Sequence, residues 1–313
     1  MDPRNISDMI SLLKNNIERH IIGKGSLIDD LIIALLSEGH VLIEDVPGVG
    51  KTSLAKALAD SIALSFSRIQ CTPDTMPGDI TGVSVYNAKS GEFEVVPGPV
   101  MNNIVLADEL NRTSPKTQSA LLEAMEEHRV TIDGKTMPLP DPFMVIGTQN
   151  PMETAGTYPL PEAQLDRFMM KLSVGYPDKD NALKMAGSFL AGTLHEETKA
   201  VLEASDIIKM RSEVKGVKVN EKLVDYAVMI VEATRADTEI ACGASPRALL
   251  ALLRCAQAQA VYLSRDYCIP EDILKAATLT LPHRLVLTAQ AKMNRMSQSQ
   301  ILKRITDHIR VPS

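Results

Sequence analysis

Eight consecutive residues, Asp45-Val46-Pro47-Gly48-Val49-Gly50-Lys51-Thr52, carry glycines, a lysine and a hydroxyl. They lie between a β-like apolar run, Val41-Leu42-Ile43, and a helical stripe of Leu54, Ala55, Leu58 and Ile62. A strand that turns through such a loop into a helix aims backbone N–H groups at phosphate oxygens, with Lys51 in reach of the terminal phosphates and the Thr52 hydroxyl available to Mg²⁺. The pattern G-x-x-x-x-G-K-[ST] is broken at its first position, where Asp45 stands in place of glycine. A side chain there can obstruct a tight turn, and a carboxylate would repel a polyphosphate. The expectation is a backbone at position 45 open to non-glycine residues, with the carboxylate turned toward a backbone N–H or a basic partner.

A second chemical segment, Ile104-Val105-Leu106-Ala107-Asp108-Glu109, is an apolar strand that ends in two acids. Such a strand fixes its last carboxylates at the sheet edge where a phosphate loop opens. Asp108 is suited to hold Mg²⁺ directly or through its water, and Glu109 to orient and deprotonate an attacking water. Thr148-Gln149-Asn150-Pro151 closes a further apolar run, which puts Asn150 on the same edge, near the γ-phosphate and the water. Alone, each motif also has a plainer reading: an incidental Gly-Lys-Thr turn, a solvated helix start, an Asn-Pro turn.

Positioning these groups requires a sheet. Candidate strands are Val41–Ile43, Phe66–Ile69, Ile104–Ala107, Met144–Gly147 and Met169–Val174, alternating with helical periodicity, which predicts an α/β fold with a mostly parallel sheet. Ser114-Pro115 reads as an N-cap and first helical residue ahead of Leu121, Leu122 and Met125. Two segments interrupt the alternation as hairpins, one around Asn87–Gly91 and one around Asp133-Gly134. Gly175-Tyr176-Pro177-Asp178 reads as a linker, dividing an α/β domain, 1–175, from a helical one, 178–313, whose helices include those opening at Ser245-Pro246 and Pro270.

Composition narrows the function classes. The 313 residues are 45% hydrophobic and 23% charged, which is globular rather than disordered. A net charge of -6, no Trp and 4% aromatics give neither a phosphate-tracking face nor base-stacking platforms, so no nucleic-acid partner is expected. Apolar runs such as Leu31–Leu36 are far shorter than the ~20 residues of a spanning helix, so no membrane insertion is expected. Cys71, Cys242, Cys255 and Cys268 lack C-x-x-C spacing and read as reduced thiols rather than zinc ligands or a disulfide framework. No apolar leader follows Met1-Asp2-Pro3-Arg4, and a cytoplasmic location is the expectation.

Longer runs carry a family resemblance. These are Val46–Thr52, Ala107–Arg112, Ser114–Glu127, Thr157–Phe168 and Ser245-Pro246-Arg247, spread over roughly residues 20 to 290. Together they resemble the MoxR family of AAA+ ATPases. The resemblance implies a P-loop AAA+ core with a parallel five-stranded sheet, a smaller all-α lid domain, and a ring, usually a hexamer, binding ATP and Mg²⁺ between subunits. It implies that Gly48, Val49, Gly50, Lys51, Thr52 and Ser53 cradle the nucleotide, that Thr52 and Asp108 serve the metal, and that Glu109 and Asn150 (sensor 1) serve catalysis. Arg247 matches the sensor 2 arginine. Arg167 occupies the position of a finger inserted by a neighbouring subunit, the plainer alternative being a pair with Asp166; Arg112 is a second candidate for such a contact. Ile21-Ile22-Gly23-Lys24 resembles the segment that packs on adenine, and the hairpins resemble the helix-2 insert and the pre-sensor-1 hairpin. The implied function is ATP-driven, chaperone-like remodelling in the maturation or assembly of protein complexes, sometimes beside a von Willebrand factor A domain partner. The alternatives are a nucleic-acid motor and a non-catalytic nucleotide-gated scaffold.

Overall fold

A computed structural model of the chain describes residues 5–46, 48–151, 156–192 and 198–312. Two helices come first. In α1 (Ile6–His20) the Asn5 side chain accepts from Ser7 N, and Met9, Leu13 and Ile17 recur on the buried face. Helix α2 (Gly25–Leu36) is buried from Leu31 through Leu36, on every side rather than along a stripe. The sheet and its crossovers follow: β1 (Val41–Glu44), α3 (Lys51–Ser61), β2 (Phe66–Gln70), α4 (Pro77–Thr81), hairpin strands β3 (Gly82–Asn87) and β4 (Glu92–Pro97), then β5 (Ile104–Asp108) and α5 (Pro115–Glu127). Next come hairpin strands β6 (Arg129–Ile132) and β7 (Lys135–Pro138), β8 (Met144–Gln149), the single turn α6 (Glu162–Leu165) and β9 (Met170–Leu172).

The main sheet has the order β2-β5-β8-β1-β9, with every pairing parallel. Strands β5 and β8 are buried along almost their whole length, as expected where helices cover both faces. Alternation sorts their residues: Ile104, Leu106, Met144 and Ile146 pack with α1, α2 and α3, whereas Val105, Ala107 and Val145 pack with Leu121, Leu122 and Met125 of α5. His40 ties the second layer together, its Nε2 3.1 Å from the Met125 carbonyl and its Nδ1 accepting from Val145 N at 3.0 Å. Burial lowers its pKa to about 4 and keeps the ring neutral.

Both hairpins form as antiparallel pairs. Asp133 and Gly134 each have positive φ, the conformation a two-residue turn of this kind requires. The β3–β4 hairpin stands out from the sheet with Val83, Val85, Tyr86, Phe93 and Val96 exposed, and Tyr86 meets Phe93 edge to face. Its base is closed by two glycines. A Cβ on Gly82 would lie 2.4 Å from the Val96 carbonyl oxygen, and one on Gly98 2.3 Å from that of Ile80.

Beyond β9 the chain is helical: α7 (Lys179–Leu190), α8 (Ala204–Gly216), α9 (Glu221–Ala236), then β10 (Ile240–Cys242), α10 (Pro246–Tyr262), α11 (Pro270–Thr280), β11 (Val286–Leu287), α12 (Ala289–Met293) and α13 (Gln298–His308). Ser245 caps α10 by accepting from Ala248 N, and Asp272 in the first turn of α11 accepts from Ile269 N. The helical region also carries the short antiparallel ribbon β10–β11, too brief to show a period-two pattern in the sequence. Helix α10 packs on α2 as well as on α8 and α11, so one hydrophobic cluster runs from the sheet into the helices. Among the described residues no helix is long and apolar enough to cross a membrane.

Candidate active site

Strand β1 delivers the chain into the glycine loop at the carboxyl edge of the sheet. Gly48 and Gly50 take φ of +83° and +90°, which L side chains rarely adopt, and nothing lies within 4 Å of where a Cβ would stand. Helix α3 begins on Gly50 with no side-chain cap, so its first N–H groups face outward as an anion cradle. Lys51 Nζ donates to the Asp45 carbonyl at 2.9 Å, folded over its own loop. Pro47 lies outside the described residues. The loop lines a cavity of about 650 Å³ together with Ile21, Ile22 and Tyr176, a volume suited to a small-molecule ligand.

Asp45 faces away from that cradle. Its Oδ2 accepts from Gly175 N at 2.6 Å and Ser173 Oγ at 2.8 Å, and its Oδ1 from Val46 N at 2.8 Å. Desolvation raises its pKa, but the hydrogen bonds from Gly175, Ser173 and Val46 outweigh it and hold the carboxyl below its ordinary range. Its φ is not positive, so the position needs no glycine. Lys24 Nζ donates to the Gly175 and Tyr176 carbonyls at 2.9 and 3.0 Å, so the segment leaving β9 is held by both Asp45 and Lys24.

Register brings the other motifs to the same edge. Strand β8 lies between β1 and β5, with Ile43 opposite Thr148 and Ala107 opposite Gly147. Thr148 Oγ1 donates to Asp108 Oδ1 at 2.7 Å and accepts from Glu109 N at 2.9 Å. Glu109 is in the left-handed region (φ 59°, ψ 47°), a conformation of the kind that concentrates at functional sites. Its Oε2 pairs with Arg112 at 2.9 Å and lies 3.4 Å from Gln70 Nε2. Asn150 follows β8 directly and is buried. Cys71 sits beside the two acids, but burial and their charge push its thiol up to about 12, which excludes a thiolate nucleophile.

Arg167 and Arg247 stand elsewhere. Both pair with Glu126 at the end of α5, Arg167 at 3.0 Å, and both line a second cavity of about 440 Å³ rather than the one beside the glycine loop. Asp166 accepts from Arg284 Nε at 2.6 Å and Ser245 Oγ at 2.9 Å, which leaves Arg167 to Glu126.

Comparison with known proteins decides the family. Residues 40–170 match the profile described as "ATPase family associated with various cellular activities (AAA)", and residues 232–305 match "AAA lid domain". The chain is 51% identical to YeaC of Bacillus subtilis, with 95% of this chain and 93% of that one aligned. It is 41% identical to Chaperone MoxR1 of Mycobacterium tuberculosis, with 95% of this chain and 80% of that one aligned. A crystal structure of a Cytophaga hutchinsonii chain assigned as an ATPase superposes with a TM-score of 0.92 at 39% identity, covering 98% of this chain and 96% of that one. The chain belongs to the MoxR family of AAA+ ATPases. Within this MoxR chain, residues that sequence reasoning missed hold the site in shape. Gln118, buried on α5, points its Nε2 at the carbonyls of Leu110, Thr113 and Tyr158 at 3.0 to 3.3 Å, fixing the turn that carries Arg112. Tyr176 supplies a wall of the cavity, Arg68 reaches Asp108, and Glu126 collects the two arginines. Gln118 and Glu126 lay inside the quoted run Ser114–Glu127, Arg68 inside a candidate strand and Tyr176 inside the linker, but nothing in their neighbours' spacing announces the partners they take.

Proposed function

We propose that this chain hydrolyses ATP in an Mg²⁺-dependent manner as a subunit of a ring, usually hexameric in this family, and that turnover drives chaperone-like remodelling in the maturation or assembly of a protein complex. One observation carries the reading. The glycine loop, Asn150, and Asp108 with Glu109 leave the carboxyl ends of three adjacent strands, β1, β8 and β5. That is the side of a parallel sheet on which ligands bind.

Each residue then has a task. The backbone from Gly48 to Ser53 and the Lys51 ammonium receive the phosphates, while the wall formed by Ile21, Ile22 and Tyr176 receives the base. The donor set suits Mg²⁺: the Thr52 hydroxyl and the Asp108 carboxylate are hard oxygen ligands on adjoining elements. An ion held there would supply positive charge against the phosphate groups. Glu109 takes the proton from the attacking water, which requires that it first leave Arg112, and Asn150 orients that water. Arg167 and Arg247, which line a cavity other than the one beside the loop of their own chain, suit contact with the γ-phosphate held by a neighbouring subunit. The name of the M. tuberculosis relative, Chaperone MoxR1, supports the chaperone-like part of the reading, and remodelling, a von Willebrand factor A domain partner and a cytoplasmic setting are proposed with it.

Phosphate release and equilibrium binding of a fluorescent ATP analogue test the reading. Lys51→Ala should lose binding, whereas Glu109→Gln should bind ATP and turn over very slowly, with no stimulation by DNA in the wild type. Undiminished hydrolysis in Glu109→Gln removes the proposed base, and strong DNA stimulation favours a nucleic-acid motor.

A further inference from the structure

Both oxygens of Asp108 are engaged by donors. Oδ1 accepts from the Thr148 hydroxyl at 2.7 Å, and Oδ2 accepts from Arg68 Nη2 at 2.6 Å. The two donors differ in consequence. A neutral hydroxyl leaves a lone pair free and adds no charge, so it can persist beside a bound cation. A guanidinium brings a positive charge to the oxygen a divalent ion would use, and two cations beside one carboxylate repel each other.

The geometry around Arg68 is suited to an exchange. Strand β2 is the outermost strand on its side of the sheet, and the Arg68 side chain is about half exposed while that of Asp108 is largely covered. Arg68 therefore has solvent beside it to swing into. It is also linked to the second acid: the Nη2 that holds Asp108 donates to Gln70 Oε1 at 2.8 Å, and Gln70 Nε2 lies 3.4 Å from Glu109 Oε2. Arg68 and Gln70 are two apart on one strand and therefore on one face.

Resting on the reading of Asp108 as a metal ligand, we infer that Arg68 is a positioning residue that holds Asp108 in the metal-free chain and is expelled when Mg²⁺ arrives with the nucleotide. Arg68 thus weakens the hold on the metal, and its departure releases Gln70 at the moment the phosphates and metal are in place. The arrangement makes Asp108 a ligand only for an ion strong enough to displace a guanidinium.

The test is a Mg²⁺ titration of binding of a non-hydrolysable fluorescent ATP analogue to the full chain, in wild type, Arg68→Gln and Arg68→Lys, with a parallel measurement in EDTA. Arg68→Gln should lower the half-saturating Mg²⁺ concentration on the order of fivefold, the equivalent of about 1 kcal/mol for a half-exposed ion pair that no longer has to be broken. Arg68→Lys, which keeps the charge, should stay near the wild type, and binding in EDTA should be equal in all three. Arg68→Gln within twofold of the wild type, or weaker for Mg²⁺, overturns the inference while leaving the nucleotide site standing. Failure of all three to bind the analogue at any Mg²⁺ concentration overturns the site itself, and the inference with it.

Discussion

Asp45 illustrates how one residue can satisfy a phosphate loop without obeying its usual pattern. Its carboxylate is spent on Ser173, Gly175 and Val46, so its charge is directed away from the cradle of Gly48 and Gly50. Asp45→Gly should therefore change ATP affinity by less than about tenfold, roughly 1.4 kcal/mol. The same substitution should cost stability, on the order of 1–3 kcal/mol for hydrogen bonds to a charged group. Analogue binding and thermal melting measure the two effects separately. Binding that tightens well beyond tenfold would mean that Asp45 faces the phosphates during turnover. The groups proposed to do chemistry were readable from the sequence because each ends a local pattern: Lys51 after a strand and two glycines, Asp108 and Glu109 after an apolar run, Asn150 before a proline. Arg68 and Glu126 were not, because their roles come from partners 40 or more residues away.

At the level of elements, the strands and both hairpins were legible, since buried strands are continuous apolar runs and Asp-Gly announces a tight turn. Helix α2 offers no amphipathic stripe because it is covered on nearly all sides, so periodicity does not mark it; α1 carried the available signals, Asn5 as a cap and Met9, Leu13 and Ile17 at helical spacing. The close approach at the base of the β3–β4 hairpin had no sequence signal beyond two glycines 16 residues apart. Gly98 has an ordinary φ of -85°, so its need for glycine comes from contact, not conformation. Gly98→Ala should force the two backbones apart, with a cost on the order of 2 kcal/mol, within the usual range for overpacking. Hydrogen exchange should quicken at the amides of β3 and β4 while ATP-analogue affinity stays nearly constant. Unchanged protection in the hairpin would show that the crossing does not hold its base.

Over the whole molecule, Arg167 and Arg247 line a cavity other than the one beside the glycine loop, which fits the proposal that a complete catalytic site takes groups from two chains. If Arg167 acts across an interface, Arg167→Ala should lower the rate on the order of 10³-fold while sparing nucleotide binding. Mixing inactive Arg167→Ala with inactive Glu109→Gln should restore part of the activity, since some interfaces then contain both intact groups. Absence of recovery, with subunit exchange shown by fluorescence transfer, would count against a finger acting at independent sites. The hydrogen bonds of Asp45 to Ser173 and Gly175 have one more consequence, for the exchange of parts between relatives. They join the opening of the phosphate loop to a segment about 130 residues later, where the chain leaves the sheet for the helices. The loop is therefore not a cassette. A graft that brings in a loop beginning with glycine leaves the Gly175 amide and the Ser173 hydroxyl without their acceptor, and a chimera that keeps its balance must carry positions 45, 173 and 175 together.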